Sequence, residues 1–120
     1  MIERLFPPGV PTPRGPYAPA VRAGDFIYVS GQVPQQPGDI QSETRQVLNN
    51  IKSVLEGAGA TVADVVKCSV FLGDAKDFAA MNEVYAEFFG TDKPARSTIV
   101  CGFVADIKVE IDCVAYKHKI

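Results

Sequence analysis

Ile107-Lys108-Val109-Glu110-Ile111-Asp112-Cys113-Val114-Ala115-Tyr116 is the stretch from which the fold is read. Ile107, Val109, Ile111 and Cys113 alternate with Lys108, Glu110, Asp112 and Val114. That is the period of two expected of a strand with one face against a core. Working back along the chain, Arg96–Val104, Asp64–Leu72 and Phe26–Val33 are rich in β-branched and aromatic residues and read as strands too. Parity sorts their side chains onto two faces. One face collects Ile27, Val29 and Val33, then Val66, Cys68, Val70 and Leu72, then Ile99, Cys101 and Phe103. The other collects Phe26, Tyr28, Ser30 and Gln32, then Lys67, Ser69 and Phe71, then Thr98, Glu110 and Asp112. The first face is apolar enough to be a core. The second is too apolar for a simple wet face and too polar for a monomer's interior.

The helices follow from a different period. Val47, Leu48, Ile51, Val54 and Leu55 recur at three- and four-residue steps and make one apolar stripe. Asp39 or Ser42 is placed to cap that helix, and Gly57 to end it in the left-handed conformation. A second stripe, Phe78, Met81, Tyr85, Phe88 and Phe89, has Asp77 as its N-cap and Gly90 after its end, and reads as core packing. The order strand, helix, strand, helix, strand, strand is an α+β arrangement of split βαβ type, with both helices on the apolar face of one sheet. Nothing else in the chain covers the mixed face. A homo-oligomer that buries it, with a site between subunits, is the economical expectation, although an antiparallel sheet can also leave one face wet. Pro7, Pro8, Pro11, Pro13, Pro16 and Pro19 make the N-terminal segment an ordered loop or extended arm. Within it, Tyr17 needs a surface to pack on.

The 120 residues carry 12 Lys+Arg against 14 Asp+Glu, a net charge of −2, which offers no large footprint for nucleic acid. At 47% hydrophobic and 22% charged residues, the composition is that of one globular domain spanning residues 1–120 rather than a disordered chain. No apolar run approaches the ~18 residues that cross a bilayer. The Met-Ile-Glu-Arg start has no basic-then-apolar leader pattern. Cys68, Cys101 and Cys113 lie in apolar runs without a Cys-x-x-Cys unit, and read as small buried hydrophobes in a reducing cytoplasm. One histidine, His118, near the C-terminus cannot furnish a zinc site or a Ser-His-Asp triad. No dinucleotide or phosphate loop surrounds Gly57-Ala58-Gly59. No metal or other cofactor is expected.

A few residues stand out as chemistry. Arg96 enters a strand in Pro94-Ala95-Arg96-Ser97-Thr98, and parity puts it on the mixed face with Thr98. A guanidinium there can grip a carboxylate with two parallel hydrogen bonds; it can equally be a surface arginine at a strand end. Glu110 lies mid-strand on the same face as Ser30. Buried in an oligomer, its carboxylate must be paired or functional and can serve as a general base on water. Exposed, it is one member of a solvated Lys-Glu-Asp face, and Asp112 shares its parity. Gly31 inside a strand signals a bulge or a close backbone approach. Ser30 can hold a ligand oxygen or satisfy a turn, and lacks the Gly-x-Ser-x-Gly context of a nucleophile. Asn82 is a polar interruption beside Met81, either exposed or in contact with a ligand.

Gly15-Pro16-Tyr17, Tyr28-Val29-Ser30-Gly31-Gln32, Asp77-Phe78 through Asn82, Tyr85 to Phe89, Pro94-Ala95-Arg96-Ser97 and Lys108-Val109-Glu110-Ile111 stand in the order found in the RidA, or YjgF-like, reactive intermediate deaminases. The resemblance spans about Pro16 to Tyr116. It implies a chorismate-mutase-like fold, a homotrimer with sites in the clefts between subunits, and cofactor-free hydrolysis of 2-imino and enamine acids to 2-oxo acids and ammonia. Carried over by motif, it makes Arg96 the carboxylate grip and Glu110 the group that activates water. Tyr17, Ser30, Gly31, Asn82 and Thr98 then line the pocket. Thr98 stands where many members have a cysteine, the loop before Pro94 is short, and Lys93 replaces a common aromatic. Some relatives are described as endoribonucleases or translation inhibitors, and a metabolite-binding trimer without turnover would use the same cleft.

Overall fold

The computed structural model describes residues 1–119. Six strands form one mixed sheet: β1 (Ile2–Leu5), β2 (Ala20–Ala23), β3 (Phe26–Gln32), β4 (Val65–Leu72), β5 (Ala95–Val100) and β6 (Val109–Tyr116), in the order β1-β2-β3-β6-β4-β5. All neighbours are antiparallel except β4 and β5. Helix α1 (Ile40–Gly57) joins β3 to β4, and α2 (Phe78–Phe89) makes the crossover from β4 to its parallel neighbour β5. The two helices pack on each other and cover one side of the sheet, as the α+β reading requires.

Most of the core is the one the patterns predict. Val47, Leu48, Ile51, Val54 and Leu55 of α1 are all fully buried, against Ile27, Val70, Leu72, Val109 and Ile111 of the sheet. Asp39 is the cap of α1: its carboxylate accepts the backbone N–H of Ser42 at 2.8 Å. In α2, Met81, Tyr85 and Phe89 are buried as expected, whereas Phe78 is half exposed and Val84 takes its share of the core. Cys68 and Cys113 are buried and Cys101 partly so, all as free thiols.

Several expectations need correction. The four-residue strands β1 and β2 carry too few alternations to show a period, yet Gly24-Asp25 closes a two-residue hairpin turn between β2 and β3, with Gly24 at φ +62°. Helix α1 runs through Gly57, and the left-handed residue is Gly59, not Gly57. Asp77 precedes α2 but its side chain makes no capping hydrogen bond. Strand β5 stops at Val100 and β6 starts at Val109, so Cys101, Phe103 and Ile107 belong to the loop between them.

The face assignments fail in three places, each for a local reason. In β3 an extra residue lies between Val29 and Gln32, which pair with Cys113 and Ile111; the bulge turns Gln32 inward to a buried position. In β4 a similar irregularity between Val65 and Lys67 buries Val65 and leaves Val66 exposed. The parallel pairing of β5 sets Arg96 beside Cys68 and Thr98 beside Val70. Neighbours across a ladder share a face, so Arg96 and Thr98 lie on the helix-covered side and Ile99 lies on the bare one. The bare side carries Phe26, Tyr28, Ile99 and Tyr116, each 41–51% exposed.

Glu43, in the first turn of α1, is a buried carboxylate that the sequence patterns do not single out. It accepts the backbone N–H of Lys108 at 2.8 Å and that of Gly38 at 3.2 Å, and the Lys108 ammonium lies 3.4 Å away. These bonds tie the start of β6 to α1. Hydrogen bonds to a charged acceptor are worth about 1.5–3 kcal/mol each and are costly to break when buried. Glu43→Ala is expected to lower stability by about 3 kcal/mol in urea unfolding; a loss below about 1 kcal/mol would contradict that role.

Candidate functional site

Two polar clusters lie on opposite sides of the sheet. The first is built around the β3 bulge. Ser30 donates its hydroxyl to Ala18 O at 2.6 Å and its backbone N–H to Pro19 O at 3.0 Å, which fastens the proline-rich arm to the strand. The arm turns at Gly15, and the Tyr17 hydroxyl accepts the Arg14 backbone N–H at 3.2 Å. Across the ladder Glu110 projects from β6 onto the bulge. A Cβ added at Gly31 would overlap the Glu110 Oε2 and stand 3.0 Å from its Cδ, so only glycine leaves room for this carboxylate. Arg14, Tyr17, Ser30, Gly31, Phe103 and Glu110 wall an open cavity of about 440 Å³. Burial, and then the negative charge of Asp112, raise the proton affinity of Glu110 above that of an ordinary carboxylate.

The second cluster is at the other edge. Arg96 donates from Nη1 to Asn82 Oδ1 at 2.8 Å. Its guanidinium carbon stands 4.7 Å from the Tyr85 ring centre and 5.6 Å from that of Phe78. Aromatic faces and one amide oxygen thus hold the fork flat, and no carboxylate among the described residues is paired with it. Asn82, Tyr85, Lys93, Pro94 and Arg96 line a cavity of about 330 Å³. Thr98 follows Arg96 on the same face of β5.

The structure therefore brings Tyr17, Ser30, Gly31 and Glu110 together, and separately Asn82, Arg96 and Thr98. It does not join the two groups within one chain. Glu110 is level with Phe71 and Phe71 with Ile99, three residues beyond Arg96. Two strand spacings across and three residues along put the Cα atoms of Glu110 and Arg96 roughly 14 Å apart, with side chains on opposite faces. The helical period assigns Phe78 and Tyr85 to core packing and gives no sign of their contact with Arg96, and the one signal for Arg14 is a cation inside Pro13-Arg14-Gly15-Pro16. Among the described residues no group of three or more His, Cys, Asp or Glu side chains is placed to hold a metal ion. His118 lies 3.2 Å from Asp25, at the opposite end of β3 from the bulge.

A small mixed sheet with two helices on one side, a lone carboxylate at a bulge and an arginine clamp at the edge strand defines a compact class of α+β proteins. The chain belongs to the family described as Endoribonuclease L-PSP, whose model matches residues 9–117, and which includes the YjgF, or RidA, proteins. It is 48% identical over 126 residues to a RutC family protein of Pyrococcus horikoshii, covering 98% of this chain and 100% of that one. The YjgF gene product of E. coli superposes with a TM-score of 0.90 at 35% identity, covering 95% of this chain and 98% of that one. E. coli TdcF with bound serine gives 0.86 at 36% identity, covering 90% of this chain and 93% of that one.

The contact between Gly31 and Glu110 can be tested alone. Gly31→Ala is expected to cost about 1–3 kcal/mol through overpacking. The cost should largely vanish in a Glu110→Ala background, a coupling that a double-mutant cycle reads. Equal costs in both backgrounds would show that the carboxylate is not what the glycine accommodates.

Proposed function

We propose that the chain hydrolyses 2-imino and enamine acids, such as 2-iminopropanoate and 2-aminoacrylate, to 2-oxo acids and ammonia. The chain works as a cytoplasmic homotrimer whose sites join Glu110 of one subunit to Arg96 of its neighbour. The observation that carries the proposal is the division of the polar groups: Glu110 on one side of the sheet, and at the far edge an Arg96 fork braced by Asn82 and Tyr85 with no base beside it. A 2-imino acid has its carboxylate one bond from its electrophilic carbon, so two groups whose Cα atoms stand roughly 14 Å apart and whose side chains lie on opposite faces of one sheet cannot both serve it. A head-to-tail ring brings unlike patches together, and the half-apolar bare face supplies surface to bury. The serine in TdcF supports an amino-acid-sized ligand, since serine carries the same C1 carboxylate and C2 nitrogen.

In this mechanism the Arg96 fork, held flat by Asn82 and Tyr85, takes the substrate carboxylate through two hydrogen bonds. Fixing C1 fixes C2 beside a water at Glu110, so positioning supplies much of the acceleration. Glu110 removes a proton from that water as its oxygen bonds to C2 and the C=N electron pair moves to nitrogen, and then delivers that proton to the nitrogen. In the resulting carbinolamine Glu110 takes the hydroxyl proton as the C=O bond forms, and passes it to the nitrogen as the C–N bond breaks and ammonia leaves. The net reaction is imine plus water to ketone plus ammonia. The raised proton affinity of Glu110 suits a group that both accepts and donates. Tyr17, Ser30, Gly31 and Thr98 shape the walls; Thr98 provides no thiol.

The family name makes RNA cleavage the second reading. A net charge of −2 weighs against it.

Ammonia release from freshly generated 2-iminopropanoate tests the proposal. Arg96→Lys is expected to lose activity nearly as fully as Arg96→Ala, about a hundredfold or more, because a point charge does not replace a fork. Near-normal turnover by Arg96→Lys would contradict two-point recognition.

The pH profile gives a separate test. Glu110 must be ionised to act as base, so activity falls as pH drops through its raised pKa. Asp112→Asn removes a like charge and should move that acid limb to lower pH. A limb that stays in place would show that another group controls the profile.

A further inference from the structure

The cavity at Glu110 holds a charge that the mechanism does not use. Among the described residues lining it, Arg14 and Glu110 are the charged ones. Arg14 is also part of the walls of two adjoining cavities, one beneath the arm and one against the Ala105–Ile107 loop. Its backbone is held: its N–H is bonded to the Tyr17 hydroxyl, Pro13 precedes it, and Gly15-Pro16 follows. Its guanidinium makes no ion pair among the described residues, although Asp106 shares one of the adjoining cavities. The arm thus places an arginine without an ion pair among the described residues at the wall of the pocket.

Size and charge together say what that fork is for. At the ~30 Å³ that a water occupies in the liquid, a six-atom acid such as 2-iminopropanoate takes on the order of 180 Å³. The cavity in one chain is about 440 Å³. The difference leaves space within the chain's own walls for a longer side chain. Phe103, Val33 and Ile107 along the wall suit methylene groups. A second carboxylate placed there would be repelled by Glu110 unless a cation faced it, and Arg14 is that cation.

Given the deaminase reading, we infer that Arg14 is a specificity-determining residue that selects 2-imino dicarboxylic acids. Arg96 takes the C1 carboxylate and Arg14 the distal one, with the C2 imine left at Glu110. The supplying reaction is then one that oxidises or eliminates from an acidic 2-amino acid. The product is a 2-oxo dicarboxylate.

The test pairs binding with turnover, using wild type, Arg14→Ala and Arg14→Lys. Calorimetry compares 2-oxoglutarate with 2-oxobutanoate, and ammonia release compares 2-iminoglutarate with 2-iminobutanoate. Wild type is expected to favour the dicarboxylate about tenfold or more in both measurements, the scale of one charge-assisted recognition contact. The ratio should collapse to near unity in Arg14→Ala and partly survive in Arg14→Lys, which keeps the charge and loses the fork. Equal treatment of the two ligands by wild type, or a preference that persists in Arg14→Ala, would overturn the assignment. Binding preference without turnover of any imine would retire the deaminase reading and leave the role of Arg14 standing. Turnover without preference would do the reverse.

Discussion

The extra residue at Ser30-Gly31 sets β3 one position out of step with β6, and the candidate site is arranged around that offset. The bulge opens a gap in the ladder that the Glu110 carboxylate fills, and the absence of a side chain at Gly31 is what admits it. The same two residues anchor the proline-rich arm through the Ser30 bonds to Ala18 and Pro19, which delivers Tyr17 and Arg14 to the opening. Behind β6, Glu43 holds the backbone of Lys108. The carboxylate thus projects from a strand pinned on both sides. In the proposed reaction, a carboxylate held in this way needs little reorganisation when a substrate arrives.

The second constraint is the parallel crossover through α2. It sets β5 beside β4 with Arg96 opposite Cys68, and so turns the arginine toward the helix layer instead of the bare face. There the guanidinium meets Asn82 and Tyr85 of the helix that made the crossover. One sheet consequently presents the Glu110 carboxylate on one side and the Arg96 guanidinium at the edge of the other. Half-exposed Phe26, Tyr28, Ile99 and Tyr116 stand on the Glu110 side. The separation of the two charged groups and the unburied apolar surface are what the proposed assembly of neighbouring chains accounts for.

Much of this was legible in the residues. The alternation in β3, β4 and β6, the stripes of both helices and the Asp39 cap are local features, and local features survive into the structure. Gly31 was also readable, since a glycine within a strand has few other uses. The relation between Arg96 and Glu110 was not. Parity counting assumes an unbroken strand, and the bulges in β3 and β4 each shift it by one. On the edge strand the apolar Ile99 faces outward, so hydrophobicity assigns that strand to the wrong side. Strands β1 and β2 are too short to show a period, and Glu43 and Arg14 gain meaning only from partners far along the chain. The family motifs point to Arg96 and Glu110, but motifs carry no information about which side of the sheet the fold gives each.

Complementation between two inactive variants tests that division directly. Arg96→Ala and Glu110→Gln are unfolded together, refolded as a mixture and assayed for 2-iminopropanoate hydrolysis. If each site takes its arginine and its glutamate from adjacent chains, random assembly of equal amounts returns about a quarter of wild-type activity. A mixture no more active than the two variants measured separately, from chains shown to have mixed, would contradict a site shared between subunits.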